Sequence, residues 1–405
     1  MTYFKFTFFF WHFWLFAGLD LLNLFSYFNR EPTDDFDSTS NERTNVEFKA
    51  INAQHLSYRE TLESILGLFL SGKGNGVPHH CQTKSESAIS RFLNYYNWST
   101  RSLIRTIRSY ILNLILAQRI KGRKPIVQVL LDLTTLEKVG KFPHLKDLIR
   151  VYNHKKGLHI VVMYLVIGNW RFPWSFRVYR GKGTASPSQL AQKLLHNLPS
   201  ILTESFQIYV LGDTAFGTMK LINKIRNSFK FHTIVGIPKT RKLKDGRKVS
   251  ELKTRGQQVY LNGLDIPVFL SWVWLKRDGK RVQRFVISTK QMKGITIARW
   301  GRRRWQIEGF FKTIKHCFSL HRFGQKTLLG VYRWLILSFI SYLLAYWVYL
   351  HLGSFDNLDW LDSAQTALIL LLPHILLLSL LNQLETVIPW LHERGFDFCL
   401  IRCKI

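Results

Sequence analysis

The sequence predicts an α/β fold: a mixed sheet flanked by helices, with an antiparallel β-rich insertion and helical segments in front. Three observations carry this. Apolar runs rich in Val and Ile recur between residues 126 and 212, with a helical stretch between them. Asp-Gly and Asn-Gly dipeptides punctuate short β-type runs between residues 230 and 290. Two of the apolar runs close on a carboxylate, Asp132 and Asp213, in a chain with 26 acidic residues against 57 basic ones. A carboxylate beside a buried strand is costly unless a cation or a polar partner compensates it. Metal binding is the sharpest reading of those two positions.

Helices open the order of elements. Residues 46–120 read as helical, with Ser85 capping one helix, Asn94 to Trp98 forming a turn and Ser99 capping the next. In that second helix Leu103, Ile104, Ile107, Ile111 and Leu114 recur at helical spacing, while Arg101, Arg105 and Arg108 fall one turn apart on another face. Helix, short turn and basic second helix is the outline of a DNA-binding helix-turn-helix; a plain solvated face is the alternative. Residues 121–229 hold strands at Ile126–Leu133, His159–Val166, Trp170–Tyr179 and Phe206–Gly212, with a helix over Ser188–Leu198. The insertion, 230–290, turns at Lys244 to Arg247, Leu261 to Leu264 and Arg277 to Lys280, and it is densely basic. Residues 291–350 return to helix, and 351–405 form a helical C-terminal region.

The balance of charge narrows the partners. A formal net charge of +31 with a pI near 10.2 repels itself unless a polyanion meets it. Nucleic acid is the usual polyanion, and an anionic membrane surface is the rival. Cys81, Cys317, Cys399 and Cys403 are too few for a disulfide framework in 405 residues and suit a reducing cytoplasm. His79, His80 and Cys81 with the two C-terminal cysteines lack the paired spacing of a zinc site. Residues 4–17 are almost wholly apolar and resemble a signal-peptide core, yet no small-residue cleavage site follows before Asp20. They read equally as an extension outside the fold, together with the polar run to residue 45. Val331–Leu350 has the length of a bilayer span with Arg333 as its only charge, and reads as a buried helix. Ala367–Leu381 is shorter and holds Pro373 and His374.

Asp132 and Asp213 at strand ends, with Glu308 on a helix, form a set that fits divalent metal. Hard Mg²⁺ prefers carboxylate oxygens, and two such ions stabilise the attacking and leaving oxygens of an in-line displacement at phosphorus. Around Glu308, Arg304 precedes by one turn, and Lys312 and Lys315 follow by one and two turns. These cations would grip the phosphates of a scissile strand. The bland alternative is a surface salt bridge from Glu308 to Arg304 or Lys312.

With these residues the chain resembles the DDE transposases of bacterial insertion sequences, close to the IS-four-like group. The third motif of that group reads Tyr-x2-Arg-x3-Glu-x6-Lys. Arg304, Glu308 and Lys315 match its last three positions, and Gly301 stands where the group has Tyr. Asp213 to Phe216 resembles the second motif, and Asp132 to Thr135 the first. The resemblance covers roughly residues 80 to 350. It implies a ribonuclease-H-like core with Asp132, Asp213 and Glu308 as metal ligands and catalytic residues. It implies Mg²⁺, with Mn²⁺ able to substitute, cleavage at element ends and strand transfer into target DNA. A homodimer on paired inverted repeats, in the bacterial cytoplasm and without a stable membrane partner, is the implied assembly. Relatives pass through a hairpin intermediate with a flipped base on an insertion Trp; Trp272 and Trp274 are in place, a core role being the alternative. A catalytically impaired DNA-binding relic, or a basic membrane protein, are the competing functional classes.

Overall fold

Nine strands lie in one sheet in a computed structural model that describes residues 43–139, 142–277, 279–356 and 359–396. The apolar segment 4–17, most of the polar run after it, and Cys399 and Cys403 lie outside the described residues. The chain divides into two compact units, residues 108–312 and the described parts of 1–107 and 313–405.

In the first unit β1 (Ile126–Glu137) is the central strand, flanked by antiparallel β3 (Lys155–Ile167) and parallel β5 (Gln207–Gly212). The short β2 (Arg150–Tyr152) and the long β4 (Trp170–Tyr179) both pair with β3. Beyond β5 the sheet continues through parallel β6 (His232–Ile237) to antiparallel β9 (Lys280–Ser288), β8 (Val268–Arg277) and β7 (Gln258–Val259). The run β4-β3-β1-β5-β6, three antiparallel strands followed by two parallel ones, is the ribonuclease-H-like arrangement. β1 and β3 are buried over most of their length, which explains their continuous apolar runs.

The strand β6 falls in the stretch read from sequence as insertion, yet it pairs in parallel with β5 and belongs to the core. The insertion proper begins after it and adds its hairpin to the sheet edge. Gly246, Gly263 and Gly279 hold positive φ at the three turns singled out by their Asp-Gly and Asn-Gly dipeptides. A cluster including Val249, Leu261, Val268, Leu270, Trp272 and Phe285 packs the insertion onto Ile222 and onto Val235 and Ile237 of β6. Trp272 is therefore a core aromatic, whereas Trp274, two residues further along the same face of β8, is half exposed.

The flanking helices of this unit are α4 (Pro187–His196), α5 (Ser200–Ser205), α6 (Met219–Asn227) and α7 (Gly294–Arg303). Ser186 and Gln189 close a capping box at the start of α4, and Thr218 caps α6. A further helix, α8 (Gln306–Cys317), starts after a break at Arg304–Trp305, so the segment 302–315, read from sequence as one helix, is two. Ile307, Phe310, Phe311 and Ile314 are its buried stripe, and Phe310 stacks on Tyr164 of β3 at 4.7 Å.

The second unit is helical: α1 (Arg43–Ser71), α2 (Glu86–Asn94), α3 (Thr100–Leu116, its first half), α9 (Leu328–Asp356), α10 (Trp360–Leu371) and α11 (Pro373–Glu393). The helices read as an N-terminal domain thus share a unit with the C-terminal ones. Ser85 accepts from the Ala88 amide and Ser99 from the Ser102 amide, so both expected caps form. Arg333 of α9 is 2% exposed and donates to the carbonyls of Phe92, Leu93, Tyr96 and Trp98 and to the Thr100 hydroxyl. It binds the α2–α3 turn from within, satisfying carbonyls that a helix end leaves without partners. Leu328–Leu352 and Pro373–Glu393 are both long and apolar enough to cross a bilayer; the first is 61% buried by its neighbours and the second 6%.

Candidate active site

The register of β1 and β5 brings the two aspartates together. Leu131 pairs with Gly212, so Asp132 and Asp213 follow at adjacent positions of parallel strands. Asp132 lies in mid-strand, opposite Val162 of β3, and not at a strand end as its apolar run suggests. Both of its oxygens have partners there: Oδ1 accepts from the Leu133 amide at 2.8 Å and Oδ2 from Arg304 at 3.2 Å. Asp213 does end its strand. It caps the 3-10 turn Thr214–Phe216, Oδ1 accepting from the Ala215 amide at 2.9 Å. That turn folds flat on the strand ends because its flanking glycines have no side chain. A Cβ on Gly212 would stand 2.8 Å from Phe216, and one on Gly217 2.2 Å from the Gly236 carbonyl.

Glu308 sits in the first turn of α8, where the helix dipole favours a carboxylate. The Arg304 Nη2 donates to its Oε1 at 2.6 Å. The ordinary (i, i+4) salt bridge is therefore present, but the same guanidinium also reaches Asp132 and so joins two acids 176 residues apart in number. Arg304 is mostly buried and Glu308 half exposed. No sequence signal links positions 132 and 304.

The electrostatics of the set favour a cation. Burial, then the charge of Asp213, pushes the Asp132 carboxyl up to about 7, with Glu308 adding to the rise and Arg304 and the Leu133 amide opposing it. The donors are carboxylate oxygens, the ligand chemistry of hard divalent ions. Among the described residues no group of three His, Cys, Asp or Glu side chains stands close enough to share an ion. Arg304 occupies the counter-charge position between Asp132 and Glu308. The donor set fits a divalent ion in chemistry, with Asp132 and Asp213 as the adjacent pair and Glu308 bound to Arg304.

The other sequence-selected cations divide by exposure. Lys312 is exposed and Lys315 half-buried on α8. Arg101 and Arg105 are exposed on α3. Arg108 is turned inward, donating to the Trp174 carbonyl and the Ser175 hydroxyl and lying over the Trp174 ring at 5.4 Å. Gly301, on α7, packs against Val286: a Cβ there would lie 3.0 Å from a Val286 methyl.

A family model described as a transposase DDE domain matches residues 123–344, more than half of the chain and all three acids. The chain belongs to the DDE transposase family. That family typically uses divalent metal, in keeping with the carboxylate chemistry of Asp132, Asp213 and Glu308. The match spans β1 through α8 and into α9, leaving α1–α3 and α10–α11 outside it. Among solved structures the chain is similar to a piggyBac transposase in a synaptic complex with hairpin DNA, at 12% identity and a TM-score of 0.43, over 76% of this chain and 70% of that one. No curated protein matches it.

Proposed function

We propose that this transposase cuts DNA at the ends of an insertion sequence and transfers the strands into target DNA, with Asp132, Asp213 and Glu308 as its metal-binding catalytic residues. The observation that carries this is the adjacency of Asp132 and Asp213 on parallel strands with Glu308 joined to Asp132 through Arg304. Bound at these carboxylates, Mg²⁺ (or Mn²⁺ in its place) would supply the Lewis acidity and water activation that phosphodiester cleavage needs. The chain's own residues do the rest. Asp132 and Asp213 hold fixed oxygens on the sheet, and Glu308 places a third at the start of α8. Arg304, freed from the acids, together with Lys315 and Lys312 neutralises strand phosphates. Arg101 and Arg105 face solvent for duplex binding on terminal inverted repeats, with a homodimer on paired ends as the assembly in the bacterial cytoplasm. Arg108, whose Nε and Nη2 are engaged within its own unit, is the weakest member of that group.

The test is Mg²⁺-dependent cleavage of DNA carrying the element's own ends by the wild type and by Glu308→Gln. Cleavage by the wild type alone is expected. Equal cleavage by both removes Glu308 from the mechanism. Gly301 favours a second reading, a DNA-binding relic: binding of the ends without cleavage by either protein would support it.

A further inference from the structure

On the face of the sheet covered by α4 and α6 lies a groove of about 680 Å³, within the range of ligand sites. Its walls include Arg177 of β4, Lys193 of α4 and Lys224 of α6, with His196 and Phe229 at one end and Gln189 at the other. No Asp or Glu lines it. No hydrogen bond or ion pair among the described residues engages the side chains of Arg177, Lys193 or Lys224. Three cations turned on one space without a counter-charge repel one another, and Arg177 also faces the Arg108 charge. An acidic ligand relieves this; a solvated surface would be expected to scatter them.

The Gln189 end of the groove lies one residue from a contact with the Asp213 turn. The Ser188 hydroxyl, at the head of α4, donates to the Ala215 carbonyl at 3.0 Å, two residues past Asp213. From there it follows α4 from Gln189 to His196, seven residues or about 10 Å of helix. That is about three phosphates of one DNA strand at about 3.4 Å of duplex axis each. We infer that this groove is a second DNA site, which takes the sugar-phosphate backbone of a strand leaving the catalytic acids along α4, with Lys193, Lys224 and Arg177 on successive phosphates. This rests on the transposase reading and adds a contact surface that the acidic set does not include. The backbone belongs either to the element's ends or to target DNA.

The salt dependence of binding tests it apart from catalysis. The probes are a duplex with the element's own ends and an unrelated duplex of equal length, each titrated by fluorescence anisotropy between about 50 and 200 mM salt. Each lost phosphate contact lowers the slope of log K against log salt by about 0.9, so Lys193→Gln with Lys224→Gln should lower it by about 2. A charge-matched pair, Lys121→Gln with Lys124→Gln, lies exposed before β1 and outside the groove lining. A larger drop for the groove pair on both duplexes supports a backbone site used by any DNA. A drop on one duplex alone assigns the groove to that DNA. An unchanged slope, or a drop no larger than that of the control pair, overturns the groove while leaving the acids untouched. Absence of wild-type binding to either duplex would instead overturn the transposase reading and this site with it.

Discussion

Asp132 is the most buried acid of the proposed site, and its protonation has a measurable consequence. Its ordinary pKa is about 3.9, and in the folded protein it is raised to about 7. Between these values the native state keeps a proton that the unfolded chain has released. Stability is therefore lost as pH rises through that window, and the loss is complete above it. Asp132→Asn removes the liability, so the metal-free variant should be more stable than wild type at pH 8 by about 2–4 kcal/mol, a figure set by about 1.4 kcal/mol per unit. Urea unfolding at pH 5 and pH 8 checks this; a variant less stable at pH 8 would contradict the buried, cation-seeking environment. Gly301 makes the converse point. A tyrosine there would match the IS-four-like motif, yet its Cβ meets Val286 at 3.0 Å. Gly301→Tyr should cost about 1–3 kcal/mol by overpacking, and Val286→Ala in the same chain should recover most of it in thermal unfolding.

Arg333 shows what a single side chain does for several elements. Its guanidinium satisfies four carbonyls around the α2–α3 turn from within α9. Arg333→Leu should therefore destabilise the helical unit by about 3–5 kcal/mol, the scale for stranding buried polar partners, and Lys should not rescue it because it lacks the planar fork. A midpoint within error of wild type for Arg333→Leu would refute that role. The sequence marked this arginine as the lone charge in an apolar run, but its partners lie more than 230 positions away. The same distance effect sorts what was legible. Strands β1, β3, β4 and β5, the hairpin turns and the Ser85 and Ser99 caps follow from local periodicity and turn chemistry. The parallel pairing of β6, the grouping of α1–α3 with α9–α11, and the Arg304 link to Asp132 depend on non-local contacts. Asp132 looked like a strand end because β1 is buried on both faces, so its apolar run gives no alternation by which to place a carboxylate. The break at Arg304–Trp305 left no trace because neither glycine nor proline marks it.

At the scale of the whole molecule, the proposed metal would couple to stability. A ligand bound only by the native state stabilises it by about 2.7 kcal/mol at a hundredfold excess over its dissociation constant. Mg²⁺ should raise the unfolding midpoint of wild type and leave that of Asp213→Asn unchanged. Equal shifts for both would place the ion elsewhere. The sheet itself has a consequence of another kind. From β5 through β6 and β9 to β8 the ladder is unbroken, carrying the insertion on the same hydrogen-bonded frame as Asp213. At about 4.8 Å per strand, β8 stands about 14 Å from the catalytic strand, and no swing of the hairpin changes that without breaking pairs. On the proposed function, any DNA held by the insertion would be measured off against a fixed rule: where the strand is cut would become a matter of register, and slipping β9 by one residue would move the cut or abolish it.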